Sequence, residues 1–109
     1  METQLSEKKC QPCRGDVPPL AGPQLDELAE NLDNAWDVVD GHHLHKQYTF
    51  DDFRQALDFT NRIGEIAEQQ GHHPMIHLTY GKVEVDIHTH EIDGLTESDF
   101  ILAAKFDAA

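Results

Sequence analysis

Five of the chain's eight histidines fall between Glu68 and Asp99, in the stretch EQQGHHPMIHLTYGKVEVDIHTHEIDGLTESD. An unperturbed imidazole has a pKa of about 6.5, so near neutrality it can give or take a proton. Two or three imidazoles around one substrate can divide the acid and base roles between them. His72 and His73 stand just before Pro74, which cannot continue a helix. That makes a rigid corner, and fixed corners at element ends are common seats for catalytic groups. Glu68 precedes His72 by one helical turn and could accept a hydrogen bond from an imidazole, setting its tautomer. His90, flanked by Thr89 and Glu91, closes a strand pattern. Asp99 follows Thr96 by three residues, as in a helix cap.

Other chemistry competes for the same residues. His88-x-His90 with Glu91 would make a facial set for zinc or iron, but it would leave the His72-His73 pair surplus. His77 and His88 fall inside strand patterns and read as wet-face residues. His42-His43-x-His45 could be a metal patch, yet no carboxylate or cysteine adjoins it in sequence, so it reads as a solvated polar face. Cys10-Gln-Pro-Cys13 is half a zinc site with no second pair. It reads as a reduced pair in an arm.

These residues need elements to position them. Residues 1–22 are punctuated by Pro12, Gly15, Pro18, Pro19 and Gly22 and read as an irregular arm. A domain of residues 23–109 follows. Leu25, Leu28, Ala29 and Leu32 recur with helical period after Pro23, and Asp33-Asn34 breaks the pattern. Ala35–Val39 and His43–Phe50 read as strands joined by an Asp40-Gly41 turn. On the second, Leu44 and Tyr48 share a face with the stem of Lys46. Thr49 with Asp52 resembles a capping box. It opens a long helix to about Gln70, with Phe53, Ala56, Leu57, Thr60, Ile63, Gly64 and Ala67 as its apolar stripe, widened by Phe59 and Ile66. Gly71 suits the position just past the helix end. Met75–Tyr80, a Gly81-Lys82 turn and Val83–His90 form a second hairpin. There Val83, Val85, Ile87 and Thr89 alternate with Glu84, Asp86, His88 and His90, one face buried and one wet. Thr96–Asp99 caps a last helix carrying Phe100, Ile101, Ala104 and Phe106. The order αββαββα predicts an α+β fold, a four-stranded antiparallel sheet with the helices packed on one face. The hairpin brings His90 beside the His72-His73-Pro74 corner, and the sheet's edges offer a dimerisation surface.

A chain of 109 residues fits one domain. The formal charge of −13 disfavours nucleic-acid backbones and anionic membranes as direct partners. No apolar run approaches the roughly 20 residues of a membrane helix. The start METQLSEKKC lacks an apolar leader region, and with two cysteines a cytoplasmic setting is expected.

The spacing Glu68-x-x-x-His72-His73-Pro74, then Tyr80-x-Lys82-Val83, Thr89-His90-Glu91, and Gly94-Leu95-Thr96 before Asp99, resembles the signature of pterin-4a-carbinolamine dehydratases. These are also known as dimerisation cofactors of a hepatocyte nuclear factor. Trp36 and the Tyr48-x-Phe50-x-Asp52-Phe53 entry extend the resemblance to about residues 20–107. It implies a hydro-lyase that removes water from 4a-hydroxytetrahydropterin, giving quinonoid dihydropterin and recycling the cofactor of aromatic amino-acid hydroxylases. It implies that His73 and His90 exchange protons with the substrate and that His72 binds or assists at the hydroxyl. Glu68 would orient an imidazole, and Asp99 completes the set. Gly71, Thr89 and Glu91 would flank the pterin. The pterin is substrate, so no cofactor and no metal is expected. Homodimers or homotetramers are implied. So is an alternative role, as a scaffold that binds a transcription factor's dimerisation helix.

Overall fold

The structure is a computed structural model that describes residues 19–32 and 35–109. Helix α1 (Pro23–Glu30), strands β1 (Asp37–Val39) and β2 (His43–Thr49), helix α2 (Phe53–Gln70), strands β3 (Met75–Thr79) and β4 (Lys82–Ile87), and helix α3 (Glu97–Asp107) follow in order, with a 3-10 turn at His90–Ile92. The predicted αββαββα order is the one observed. Cys10, Cys13 and the Asp33-Asn34 break lie outside the described residues. The end of the arm is irregular, as predicted, but tied down: Leu20 N–H donates to Leu95 O at 2.8 Å. Gly94 lies under it, where a Cβ would come within 2.7 Å of Pro19 Cβ.

The strands form one antiparallel sheet in the order β1-β2-β4-β3. Leu44, Lys46 and Tyr48 of β2 lie opposite Ile87, Val85 and Val83 of β4, and Ile76 and Leu78 of β3 continue the same face. That face carries the core, with Leu44, Val83, Val85 and Ile87 fully buried. From above it is covered by Ala56, Phe59, Ile63 and Ala67 of α2 and by Phe100, Ile101, Leu102, Ala103 and Phe106 of α3. The buried stripe of α2 is centred on Phe59 rather than on the predicted Phe53 edge, and Phe53 is 43% exposed. The opposite sheet face carries His43, His45, His77, Glu84 and Asp86, in keeping with the strand alternation.

Among the boundaries that differ from the sequence reading, three have a clear local reason. Thr49 is paired with Lys82 in the sheet, so it cannot cap α2. Asp52 does so instead, its Oδ1 accepting from Gln55 N–H at 2.8 Å, while Gln55 Oε1 accepts from Asp51 N–H at 3.1 Å. The second hairpin turns at Tyr80-Gly81, one residue early, because Thr79 pairs with Lys82 and Gly81 takes φ 70°. Strand β4 stops at Ile87, and an isolated bridge between Thr89 and Gly94 closes a loop over residues 90–93.

Candidate active site

The helix end builds the first half of the site. Gly71 adopts φ 64°, ψ 27° after α2. Gly71 N–H donates to Glu68 O and His72 N–H donates to Ala67 O, at 3.3 and 3.2 Å. This is a Schellman arrangement, which satisfies the last helix carbonyls and reverses the chain within two residues. The reversal points the two neighbouring imidazoles in opposite directions. His72 is buried and His73 exposed.

His72 Nε2 lies 2.5 Å from Asp99 Oδ1, and Asp99 has no exposed surface. The other carboxylate oxygen, Oδ2, accepts from Thr89 Oγ1 and from Thr96 N–H, each at 2.8 Å. Asp99 therefore does more than the cap its spacing predicts. One carboxylate joins the end of α2, the end of β4 and the start of α3. The convergence of the His72-His73-Pro74 corner with the hairpin end, expected from topology, is made here. His90 follows Thr89 directly. Thr89 is itself fully buried, with its hydroxyl on Asp99 and 3.0 Å from Thr96 Oγ1. Its side chain acts inward as a brace, with the hydroxyl on Asp99.

His73 is the solvent-facing member of the corner. Its Nε2 lies 2.7 Å from Glu68 Oε1. The imidazole that Glu68 orients is thus that of His73, five residues on, and not His72. An ionised carboxylate only accepts hydrogen bonds, so Nε2 is the donor here, and in the neutral ring Nδ1 presents the lone pair. Gly71, His90 and Glu91 are exposed, the last two in the 3-10 turn.

His88 is less peripheral than its strand position suggests. Its ring lies 4.2 Å from that of His90 and 4.8 Å from that of His42 between centroids. Burial, reinforced by the neighbouring charges of His90 and His42, holds its pKa below the usual 6.5. His42 in turn bonds Asp93, Nε2 to Oδ1 at 2.7 Å, and this hydrogen bond lowers the Asp93 pKa. His45 Nδ1 meets Asp86 Oδ1 at 2.7 Å, with His43 Nε2 at 3.8 Å from the same oxygen. The His42-His43-x-His45 patch is therefore supplied with carboxylates after all, from 41 and 51 residues away in sequence. No local signal could reveal them. The register of β2 on β4 brings Asp86 to His45, and the loop after β4 brings Asp93 to His42.

Known proteins share this arrangement of sequence and fold. A family model described as Pterin 4 alpha carbinolamine dehydratase matches residues 18–109. A protein of Rubrobacter xylanophilus, named provisionally as a pterin-4-alpha-carbinolamine dehydratase, is 55% identical over 96% of this chain and 97% of its own length. One from Rickettsia canadensis with the same provisional name is 53% identical over 97% of each chain. Among solved structures, a Brucella melitensis protein titled transcriptional coactivator/pterin dehydratase superposes with a TM-score of 0.76 at 32% identity. It covers 83% of this chain and 96% of its own.

Proposed function

The chain belongs to the pterin 4 alpha carbinolamine dehydratase family, and from that premise we propose that it dehydrates 4a-hydroxytetrahydropterin to quinonoid dihydropterin. What supports this reading is the exposed His73, held by Glu68 and next to His72, whose partner Asp99 also holds Thr89, the neighbour of His90. The reaction breaks the C4a–O bond and removes the N5 hydrogen, leaving a C4a=N5 double bond and water. No electrons leave the substrate, so the chain has only to move two protons. His73, with Nδ1 open and Glu68 behind it, takes the N5 proton, and Glu68 stabilises the imidazolium that results. His90 protonates the departing hydroxyl. The ring nitrogens of the pterin supply the push. His72, held by Asp99, fixes the corner and assists at the hydroxyl side. Gly71 and Glu91 border the ligand. No metal is required.

In this role the protein recycles the pterin of aromatic amino-acid hydroxylases, in the cytoplasm and as a homodimer or homotetramer. Edge strand β3, with Met75 58% exposed and Tyr80 in the turn after it 74% exposed, suits self-association. The test is the rate of dehydration of synthetic 4a-hydroxytetrahydropterin with purified protein. A rate well above background, unchanged by chelator, is expected. Background rate alone would sink the enzyme reading, and a rate abolished by chelator would move the chemistry to a metal.

The Brucella relative's title favours a second reading, as a protein-binding coactivator scaffold. Such a role would use a surface apart from the imidazoles. A His73→Ala protein would then lose turnover and keep its partner.

A further inference from the structure

The open side of the sheet gathers a second constellation that dehydration does not use. His42, His88 and Asp93 each offer one ligand atom, and the three atoms lie within 4.8 Å of one another. Two come from turns and one from the end of a strand, and each segment is held in place. His42 follows Asp40 and Gly41, both at positive φ (55° and 65°), and its N–H donates to Val39 O at 2.9 Å. His88 directly follows β4. Asp93 sits at φ 52°, in the left-handed region, inside the loop closed by the Thr89–Gly94 bridge.

We propose that His42, His88 and Asp93 form a binding site for a borderline divalent transition cation such as Zn2+, beside His90. Two imidazoles and one carboxylate are the donors such ions prefer, whereas Mg2+ and Ca2+ take mainly oxygen ligands. Ligands about 2.1 Å from a tetrahedral ion lie about 3.4 Å apart, so the 2.7 Å His42–Asp93 contact need open by less than about 1 Å. The chain's charge of −13 favours a cation. The His90 ring lies 4.2 Å from that of His88, at the edge of this site. Sequence alone pairs His88 and His90 with Glu91. The fold replaces Glu91 by Asp93 and adds His42.

The experiment titrates Zn2+ calorimetrically into metal-free full-length protein carrying Cys10→Ser and Cys13→Ser, so that thiolates do not compete. One equivalent is expected to bind. His42→Ala and Asp93→Asn should each weaken binding at least tenfold, while His45→Ala should not. In parallel, substoichiometric Co2+ should broaden the imidazole proton signals of His42 and His88 before those of His77. Binding that is unchanged in both variants, or broadening that begins elsewhere, would overturn the site. A consequence for turnover rests on the dehydratase reading: saturating Zn2+ slows the wild type and not His42→Ala. Zn2+ that binds through these residues without slowing turnover would overturn the coupling to His90 and leave both the site and the dehydratase reading standing.

Discussion

A single exposed ion pair is a weak device, and this decides how Glu68 and His73 divide the work. The two side chains are 74% and 60% exposed, so their contact contributes under about 1 kcal/mol. Glu68→Gln should therefore lower kcat by less than about fivefold. Removing the group proposed to transfer the proton is another matter, and His73→Ala should lower kcat by about 100- to 10,000-fold. Steady-state kinetics on the two variants check this, and equal losses would contradict the assigned roles. Asp99 lies at the opposite extreme, because it is buried and meets three donors. Asp99→Asn would set an amide N–H2 against at least one of those donors, which should cost about 2 kcal/mol in urea denaturation. His88 carries a pH signature. Its folded pKa lies below 6.5, so the unfolded chain takes the proton first. No penalty exists above that value. It develops as pH falls through 6.5 and is complete below the folded value. In NMR titration of metal-free protein, His88 should show a midpoint below the usual 6.5, and His42→Ala should raise it. A His88 midpoint at or above 6.5 would contradict this.

At the scale of elements, the junctions aim the residues and the strands and helices hold the junctions. The Schellman turn at Gly71 sends His72 inward and His73 outward, so its backbone matters more than its side-chain space. A Cβ there meets nothing within 4 Å, yet φ 64° strains any other residue. Gly71→Ala should cost about 1–2 kcal/mol of stability and also lower kcat, because the corner turns by the same dihedrals. A variant of unaltered denaturation midpoint would show that the turn relaxes freely. Much of this was legible in advance. The alternation of Val83, Val85, Ile87 and Thr89, the Gly71 stop and the Thr96–Asp99 spacing all read correctly, since each is a local rule acting within a few residues. The cap at Asp52, the early end of β4 and the bond from the Thr89 hydroxyl to Asp99 did not. Each is set by a partner outside the element's own run: Lys82 on Thr49, Gly94 on Thr89, and Asp99 on the Thr89 hydroxyl.

Across the whole molecule, two carboxylates of α3 tie the ends of the fold together. Asp99 near its start braces the histidine corner. Asp107 at its end accepts from Trp36 Nε1 at 2.9 Å, Lys46 Nζ at 2.7 Å and Tyr48 Oη at 2.6 Å. Lys46, read from sequence as an apolar stem on the core face, does pack that way, with its ammonium over the Tyr48 ring at 4.7 Å. It also ends on a charge that sequence spacing could not pair with it, 61 residues on. Among the described residues, every buried side-chain nitrogen or oxygen has a hydrogen-bond partner. A polar group placed under the sheet is thus affordable only while its partner stays. The Lys46 and Asp107 side chains are 9% and 22% exposed, so screening by water is limited. Asp107→Ala removes the carboxylate from three donors at once and should cost about 2 kcal/mol. Because Asp107 is not among the site residues, kcat per folded molecule should stay unchanged. Urea denaturation paired with turnover separates the two effects. A stable but slow variant would mean that the far end of α3 is coupled to the histidine corner, and an unshifted midpoint would mean that solvent replaces the lost carboxylate.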